Sequence, residues 1–321
     1  MSNSQPLLLE RKLVPKVWGG QMLSQLLDID VPAGTAIGET WELYDRPEGS
    51  SRLRGEQRTL AEVLREDPVA LLGAGVAAGT NARFPLMLKF IDAREALSVQ
   101  VHPDDDLARA ENDRGKNEAW VVLHAGPRAR ICRGVRADVD VETFRGAADS
   151  AAVEQLLWAF TPQVGDCVHV PAGTVHAMGP DVVVFEVQQN SDVTYRLYDW
   201  GRDRDVHVQK ALAAMRFVGG GQNRREVPTQ LDDGGELLVT ESHFRLRRYR
   251  VSDSLRLPTR GRFATVTVIG GNGDLVWPSS AGPQRLALQR GDTALVPAAL
   301  AEVVVEAAAP MVMLVCDPGE K

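Results

Sequence analysis

The chain is 321 residues long, 44% hydrophobic and 25% charged, with a formal net charge of −7. That length allows two domains or one large one. The acidic balance argues against a nucleic-acid or membrane-surface partner, so an anionic ligand would have to be drawn by a local basic cluster.

In chain order, the first ten residues carry only the apolar run Leu7-Leu8-Leu9. This is too short for a signal-peptide core, and no 18-residue apolar run follows, so a cytoplasmic protein with no membrane span is expected. Trp18 and Trp41, in Val17-Trp18-Gly19-Gly20 and Gly38-Glu39-Thr40-Trp41-Glu42, read as core residues. Thr59–Leu72 carries Leu60, Val63, Leu64 and Leu71 at near-helical spacing, and Val139–Phe160 reads as a helical insert. Short apolar runs bounded by Gly, Pro and Asp predict strands at Phe84–Ile91, Ala119–Leu123, Val182–Val187, Phe263–Ile269 and Glu302–Glu306. Gly165-Asp166-Cys-Val-His-Val170-Pro171-Ala172 returns as Gly291-Asp292-Thr-Ala-Leu-Val296-Pro297-Ala298, which suggests two copies of one β-barrel unit. Gly219–Glu226 is the expected joint. The three cysteines, Cys132, Cys167 and Cys316, lie far apart with no CxxC, which fits a reducing compartment.

Four residues stand out chemically. Gln100 and His102 are two apart in a β-type run, so alternation puts both on one face, with Ser98. Glu118 and the distant His176 complete a set of two imidazoles, a carboxylate and an amide oxygen, a plausible shell for a divalent metal with an open position. Lys116 shares a face with Glu118, Glu186 with Gln188, and Thr194 with Arg196 and Tyr198. If these faces point into one barrel, the metal shell is ringed by Lys116, Glu186 and Arg196, with Lys89 and Arg202 as further candidates. A charged interior of this kind is costly unless it serves a ligand. His124, His169, His207 and His243 have no partner pattern and read as structural. Asp104–Asp106 reads as a cap or a solvated turn, and Arg202-Asp203-Arg204-Asp205 as a charged turn in which only Arg202 attracts interest.

The motifs Lys16–Gly20, Gly38–Glu42, Leu97–Asp105, Gly115–Glu118, Val170–His176 and Glu186–Arg196 resemble the type I mannose-6-phosphate isomerases, in their short bacterial form. The resemblance is strong over roughly residues 10–210 and implies a mainly β double cupin with small helical inserts. It divides the chain into a metal-bearing catalytic cupin over 1–220, with the helical insert near 138–160, and a degenerate cupin without ligands over 221–321.

It further implies one Zn2+ per chain, on Gln100, His102, Glu118 and His176. The catalytic residues it implies are Arg196, Glu186 and Lys116, with Glu186 and Lys116 both open as the base. Lys89, Ser98 and Arg202 fall in substrate-binding positions. Arg202 stands where the family often has Lys, which keeps the charge and changes its geometry. The implied reaction interconverts mannose 6-phosphate and fructose 6-phosphate by proton transfer between C1 and C2. The expected partner is a hexose 6-phosphate, and the expected state a monomer or weak homo-oligomer.

Other readings compete. A metal-dependent dioxygenase uses a similar donor set, a glucose-6-phosphate isomerase could use the same constellation, and a non-catalytic sugar-binding cupin would not need Glu186 or Arg196. A bifunctional sugar-nucleotide transferase would need a Gly-rich loop followed by Lys, which the sequence lacks.

Overall fold

Strands dominate the computed structural model, which describes residues 5–79, 83–217 and 225–319. Most of the expected joint, residues 219–224, lies outside them. Two sheets face one another in the first part of the chain. One has six strands in the order Cys167–Val170, Glu118–Ala125, Val182–Gln189, Leu86–Ala93, Lys12–Gly20, Ile37–Leu43. The other has five: Leu157–Phe160, Ile131–Val135, His176–Met178, Val99–Val101, Tyr195–Tyr198.

Leu86–Ala93 and Val182–Gln189 are buried along their whole length, because both of their faces are covered. Leu86, Leu88, Phe90, Val183, Phe185 and Val187 join one apolar cluster, while Ile91, Ala93, Val182, Val184, Trp120 and Val122 join another between the two sheets. Strict alternation thus gives each strand an outer face packed on the rest of the molecule and an inner face turned into the first barrel.

The C-terminal part forms a nine-stranded sheet around the long strands Ala264–Trp277 and Glu302–Pro318. Its interior is apolar: Val266, Val268, Leu275, Val303, Val305, Met313 and Val315 are all buried there. Phe244, Leu246, Phe263, Leu314 and Cys316 pack instead into the cluster behind the six-stranded sheet. Phe84 and Phe263 meet across this boundary with ring centroids 4.7 Å apart. At the other end of the chain, Leu7–Leu8 adds an antiparallel strand to this C-terminal sheet, Leu7 opposite Leu295.

The repeated Gly-Asp segment folds the same way twice. Gly165 and Gly291 have φ of +91° and +89°, a backbone that glycine adopts without penalty. Gln163 N donates to Asp166 Oδ2 at 2.7 Å and Gln289 N to Asp292 Oδ2 at 2.9 Å. Gly165 N donates to Val122 O and Gly291 N to Val268 O, each at 2.8 Å.

The helices differ from expectation in extent. Thr59–Leu72 is two helices, Leu60–Glu66 and Pro68–Leu72. Pro68 cannot donate into the first helix, so the chain restarts with Asp67 as cap. Within 139–160 only Val141–Ala147 and Val153–Leu156 are helical, and Leu157–Phe160 is an edge strand. Its apolar residues support either assignment locally, and pairing with Ile131–Val135 decides it. Among the described residues no helix is long and apolar enough to cross a membrane.

Candidate metal centre and active site

The inner faces of the two sheets bring together residues far apart in sequence. On the six-stranded sheet, Glu186 lies opposite Lys89 on one side and Trp120 on the other, and Gln188 lies opposite Glu118. On the five-stranded sheet, Gln100 lies opposite both His176 and Arg196. His102 follows the end of the strand Val99–Val101, and Lys116 precedes the start of Glu118–Ala125. A cavity of about 120 Å³ opens between the sheets, lined among others by Ser98, Gln100, Lys116, His176, Glu186 and Arg196.

At its base, donor atoms of His102, Glu118 and His176 all lie within 4.8 Å of one another, and all three residues are buried. His102 Nε2 is 3.5 Å from Glu118 Oε2, and His176 Nε2 is 3.3 Å from Glu118 Oε1. The Nδ1 atoms lie 2.9 Å from the carbonyls of Val193 and Thr174 respectively. A carbonyl accepts only from a protonated Nδ1, so each Nε2 turns a lone pair toward Glu118. Burial holds His176 down at about 4 and His102 well below the usual imidazole range, with Lys116 opposing charge on both. Both Glu118 oxygens are buried without a hydrogen bond. Lys116 Nζ sits 2.9 Å from Glu118 Oε2 and 3.2 Å from His102 Nε2. Two neutral imidazoles and a carboxylate paired with Lys116, converging in a buried interior, fit a divalent cation.

Gln100 belongs to the same place. Its Nε2 lies 3.1 Å from His176 Nε2, and its Oε1 accepts from Ser98 Oγ at 3.0 Å. Turning the amide about its last bond exchanges the two atoms and aims the oxygen at the centre.

Above the centre the wall is charged. Lys89 Nζ lies 3.7 Å from Glu186 Oε2 and 3.5 Å from Glu39 Oε2. Burial opposes its charge, but these two carboxylates raise its pKa and keep it cationic. Burial pushes the Glu186 carboxyl up from the ordinary range, against the pull of Lys116 and Lys89. Trp120 Nε1 donates to Glu186 Oε1 at 2.9 Å, while Glu186 Oε2 is buried without a hydrogen bond. Arg196 Nε is likewise buried and unbonded.

Of the residues expected from sequence, Ser98, Gln100, Lys89, Lys116, Glu186, Arg196 and His176 line the cavity, with His102 and Glu118 beneath it. Arg202 does not line it. Its guanidinium donates to the carbonyl of Ala96 at 2.5 Å and pairs with Asp199 at 3.1 Å. Arg204, which shares Asp199 through two bonds of 2.6 Å, lines the cavity instead. Lys16 and Glu39 also reach it. Both lie in motifs that carry the family resemblance, Lys16–Gly20 and Gly38–Glu42, and the burial of Glu39 is what spacing alone does not reveal.

Residues 7–120 match the family described as phosphomannose isomerase type I, catalytic domain. A mannose-6-phosphate isomerase from Streptococcus mutans is 30% identical over 306 residues, covering 92% of this chain and 93% of that protein. The chain belongs to the type I phosphomannose isomerase family. The mannose 6-phosphate isomerase structure from Bacillus subtilis superposes with a TM-score of 0.84 at 28% identity, covering 98% of this chain and 99% of that one. A phosphomannose isomerase variant from Salmonella typhimurium, 16% identical with a TM-score of 0.82 over 99% of this chain and 100% of that one, shares the fold. The family membership makes the two β units cupin-type, as the motifs implied.

Proposed function

We propose that this chain is an aldose–ketose isomerase that interconverts mannose 6-phosphate and fructose 6-phosphate at the centre between the two N-terminal sheets. What carries the reading is the meeting of His102, Glu118 and His176 at the base of a cavity that Glu186 lines, in a chain of this family. Gln100, His102, Glu118 and His176 would hold one metal ion. Two imidazoles with oxygen donors suit Zn2+. When bound, the metal supplies a Lewis acid that polarises the sugar carbonyl and favours negative charge on oxygen.

The side chains do the rest. Glu186 Oε2, without a hydrogen bond and of raised proton affinity, takes the proton from C2 of the open-chain aldose. The C–H electron pair becomes the C1=C2 bond as the C1=O π pair moves to O1, which takes up a proton. The enediol's O2–H then releases its proton, C2=O forms, and the proton held by Glu186 returns to C1 to give the ketose. Lys116 offers its ammonium to the sugar oxygens as protons pass between them. Arg196 faces the charge that develops on oxygen. Lys89 keeps Glu186 and Glu39 from repelling each other, and Ser98 orients Gln100. Arg204 presents the second guanidinium to the phosphate, and Arg202 supports it by fixing Asp199.

The division at about residue 220 into a metal-bearing unit and a barren one accords with the apolar interior of the C-terminal sheet. Cys132, Cys167 and Cys316 are all buried and free, which supports a cytoplasmic setting. A coupled assay with mannose, glucose and fructose 6-phosphates, run with metal analysis of the purified protein, tests the reading. Turnover of the mannose–fructose pair, abolished by chelation and restored by Zn2+, is the expected result. Turnover only from glucose 6-phosphate, or activity indifferent to chelation, would reject it.

A further inference from the structure

His243, from the C-terminal half, reaches the loop that joins two of the proposed metal ligands. This loop leaves His102, passes Asp105 and returns through Gly115 and Lys116 to Glu118. Asp105 closes its base: Oδ1 accepts from Gly115 N at 2.8 Å and from Gln189 Nε2 at 3.1 Å. Lys116 N donates to Pro103 O at 3.0 Å beside it. The closure is tight, since a Cβ on Gly115 would stand 2.5 Å from Asp105 N. Gln189 Oε1 in turn accepts from both the backbone and the side-chain nitrogen of Asn117, at 2.9 and 2.8 Å, and Asn117 Oδ1 accepts from Ala172 N at 2.8 Å. Every strand or turn that carries a ligand or the proposed base therefore meets this network within a few residues.

The remaining oxygen of Asp105 takes its partner from the other half of the molecule, as His243 Nε2 lies 3.2 Å from Asp105 Oδ2. On the far side of the ring, Nδ1 lies 3.1 Å from Glu241 Oε2, 3.0 Å from Ser242 Oγ and 3.2 Å from Asn117 Nδ2. A protonated Nδ1 donates to Glu241, and an unprotonated one accepts from Asn117 or Ser242. Glu241 is itself held by the backbone N–H groups of His243 and Phe244, at 3.0 and 3.1 Å, so the imidazole hangs from a fixed point.

We propose that His243 is a positioning residue for the metal centre: through the His243–Asp105 pair, the C-terminal half holds the loop that sets Lys116 and Glu118 against His102. This deepens the isomerase reading and rests on it for the roles of those three residues. It also assigns the ligand-free half a task beyond covering the back of a sheet. Burial works against charge on the imidazole, but the two carboxylates raise its pKa to about 9, so the pair is ionic near neutrality.

The test uses the full zinc-loaded chain and compares His243→Ala with Arg248→Ala. Arg248 also spans the halves, donating to Gly165 O at 2.8 Å, but at a turn away from the loop. For His243→Ala, amide exchange in residues 104–118 and zinc release to a chromophoric chelator should each accelerate at least tenfold. Its kcat should fall at least fivefold with KM within twofold. Arg248→Ala should lower the melting temperature and leave those rates near wild type. If the two variants behave alike, or if His243→Ala shifts only the melting temperature, the positioning role is wrong. Should His243→Ala fail to fold, His243→Gln and Asp105→Asn replace it, and wild-type exchange and release in both would overturn the proposal. A wild-type chain that turns over no hexose 6-phosphate defeats the isomerase reading, while exchange and zinc release still decide the case for His243.

Discussion

The two β units turn the same corner and fill their interiors with opposite chemistry. Gln163–Asp166 and Gln289–Asp292 make matching bonds, and each leads into a buried strand. In the first unit the inward positions include Lys89, Glu118, Glu186 and His176, all buried. In the second they include Val266, Val268, Met313 and Val315. Each apolar side chain so buried contributes roughly 1.5–3 kcal/mol to folding. A buried charge opposes folding unless it is paired and hydrogen-bonded. Glu118 and Glu186 leave oxygens unbonded all the same. The difference teaches that one backbone plan can enclose either a charged interior able to hold a metal or an apolar one that adds stability.

Four measurements break or sharpen this contrast. Glu118→Gln should empty the first interior of metal and lower turnover by more than about 100-fold, since even outer partners of metal ligands reach that scale. Metal content and the coupled assay check it together, and a variant with full metal occupancy would break the contrast outright. Glu186→Gln should cut kcat by about 10²–10⁴-fold with metal content unchanged. Equal losses of metal and activity would make Glu186 part of the shell rather than the base.

Met313→Ala, in the second interior, should lower unfolding free energy by about 2–5 kcal/mol in denaturant titration, while kcat per folded molecule stays put. The smallest effect concerns pH. The folded pKa of His243, about 9, lies above its unfolded value of roughly 6.5, so its contribution is full at low pH and fades as pH rises through about 9. Asp105 and Glu241 contact the ring, and Asp113, Arg109, Arg114 and Arg262 line the groove it faces. The melting temperature should therefore fall over about pH 6.5–9 in the wild type, with this contribution exhausted above about 9, and fall less steeply in His243→Gln.

Much of this was legible from local spacing. Pairs two apart, such as Gln100 with His102 or Lys116 with Glu118, pointed to one site, although His102 and Lys116 lie just outside the strands that carry their partners. The Gly-Asp echo was legible because a turn with positive φ needs its glycine. What spacing cannot give is which faces meet. Lys16 and Glu39 reach the cavity only because Lys12–Gly20 and Ile37–Leu43 pair with each other and with Leu86–Ala93. In Arg202-Asp203-Arg204-Asp205 the two arginines compete for Asp199, and the path of the turn, not its composition, decides which one lines the cavity. His243 looked solitary because Asp105 and Asn117, two of the groups its ring meets, lie in the other half of the sequence.

The pairing of Leu7 with Leu295 has a bearing on biosynthesis. A ribosome delivers this short strand well before its neighbour Leu295, so the segment must wait through the synthesis of the intervening chain before it can be zipped into place. Until then the border of the C-terminal sheet offers bare amides and carbonyls to any passing extended peptide. Deletion of Leu7–Leu8 should accordingly be felt in the C-terminal sheet, as poorer yield and clumping of nascent protein rather than as damaged chemistry.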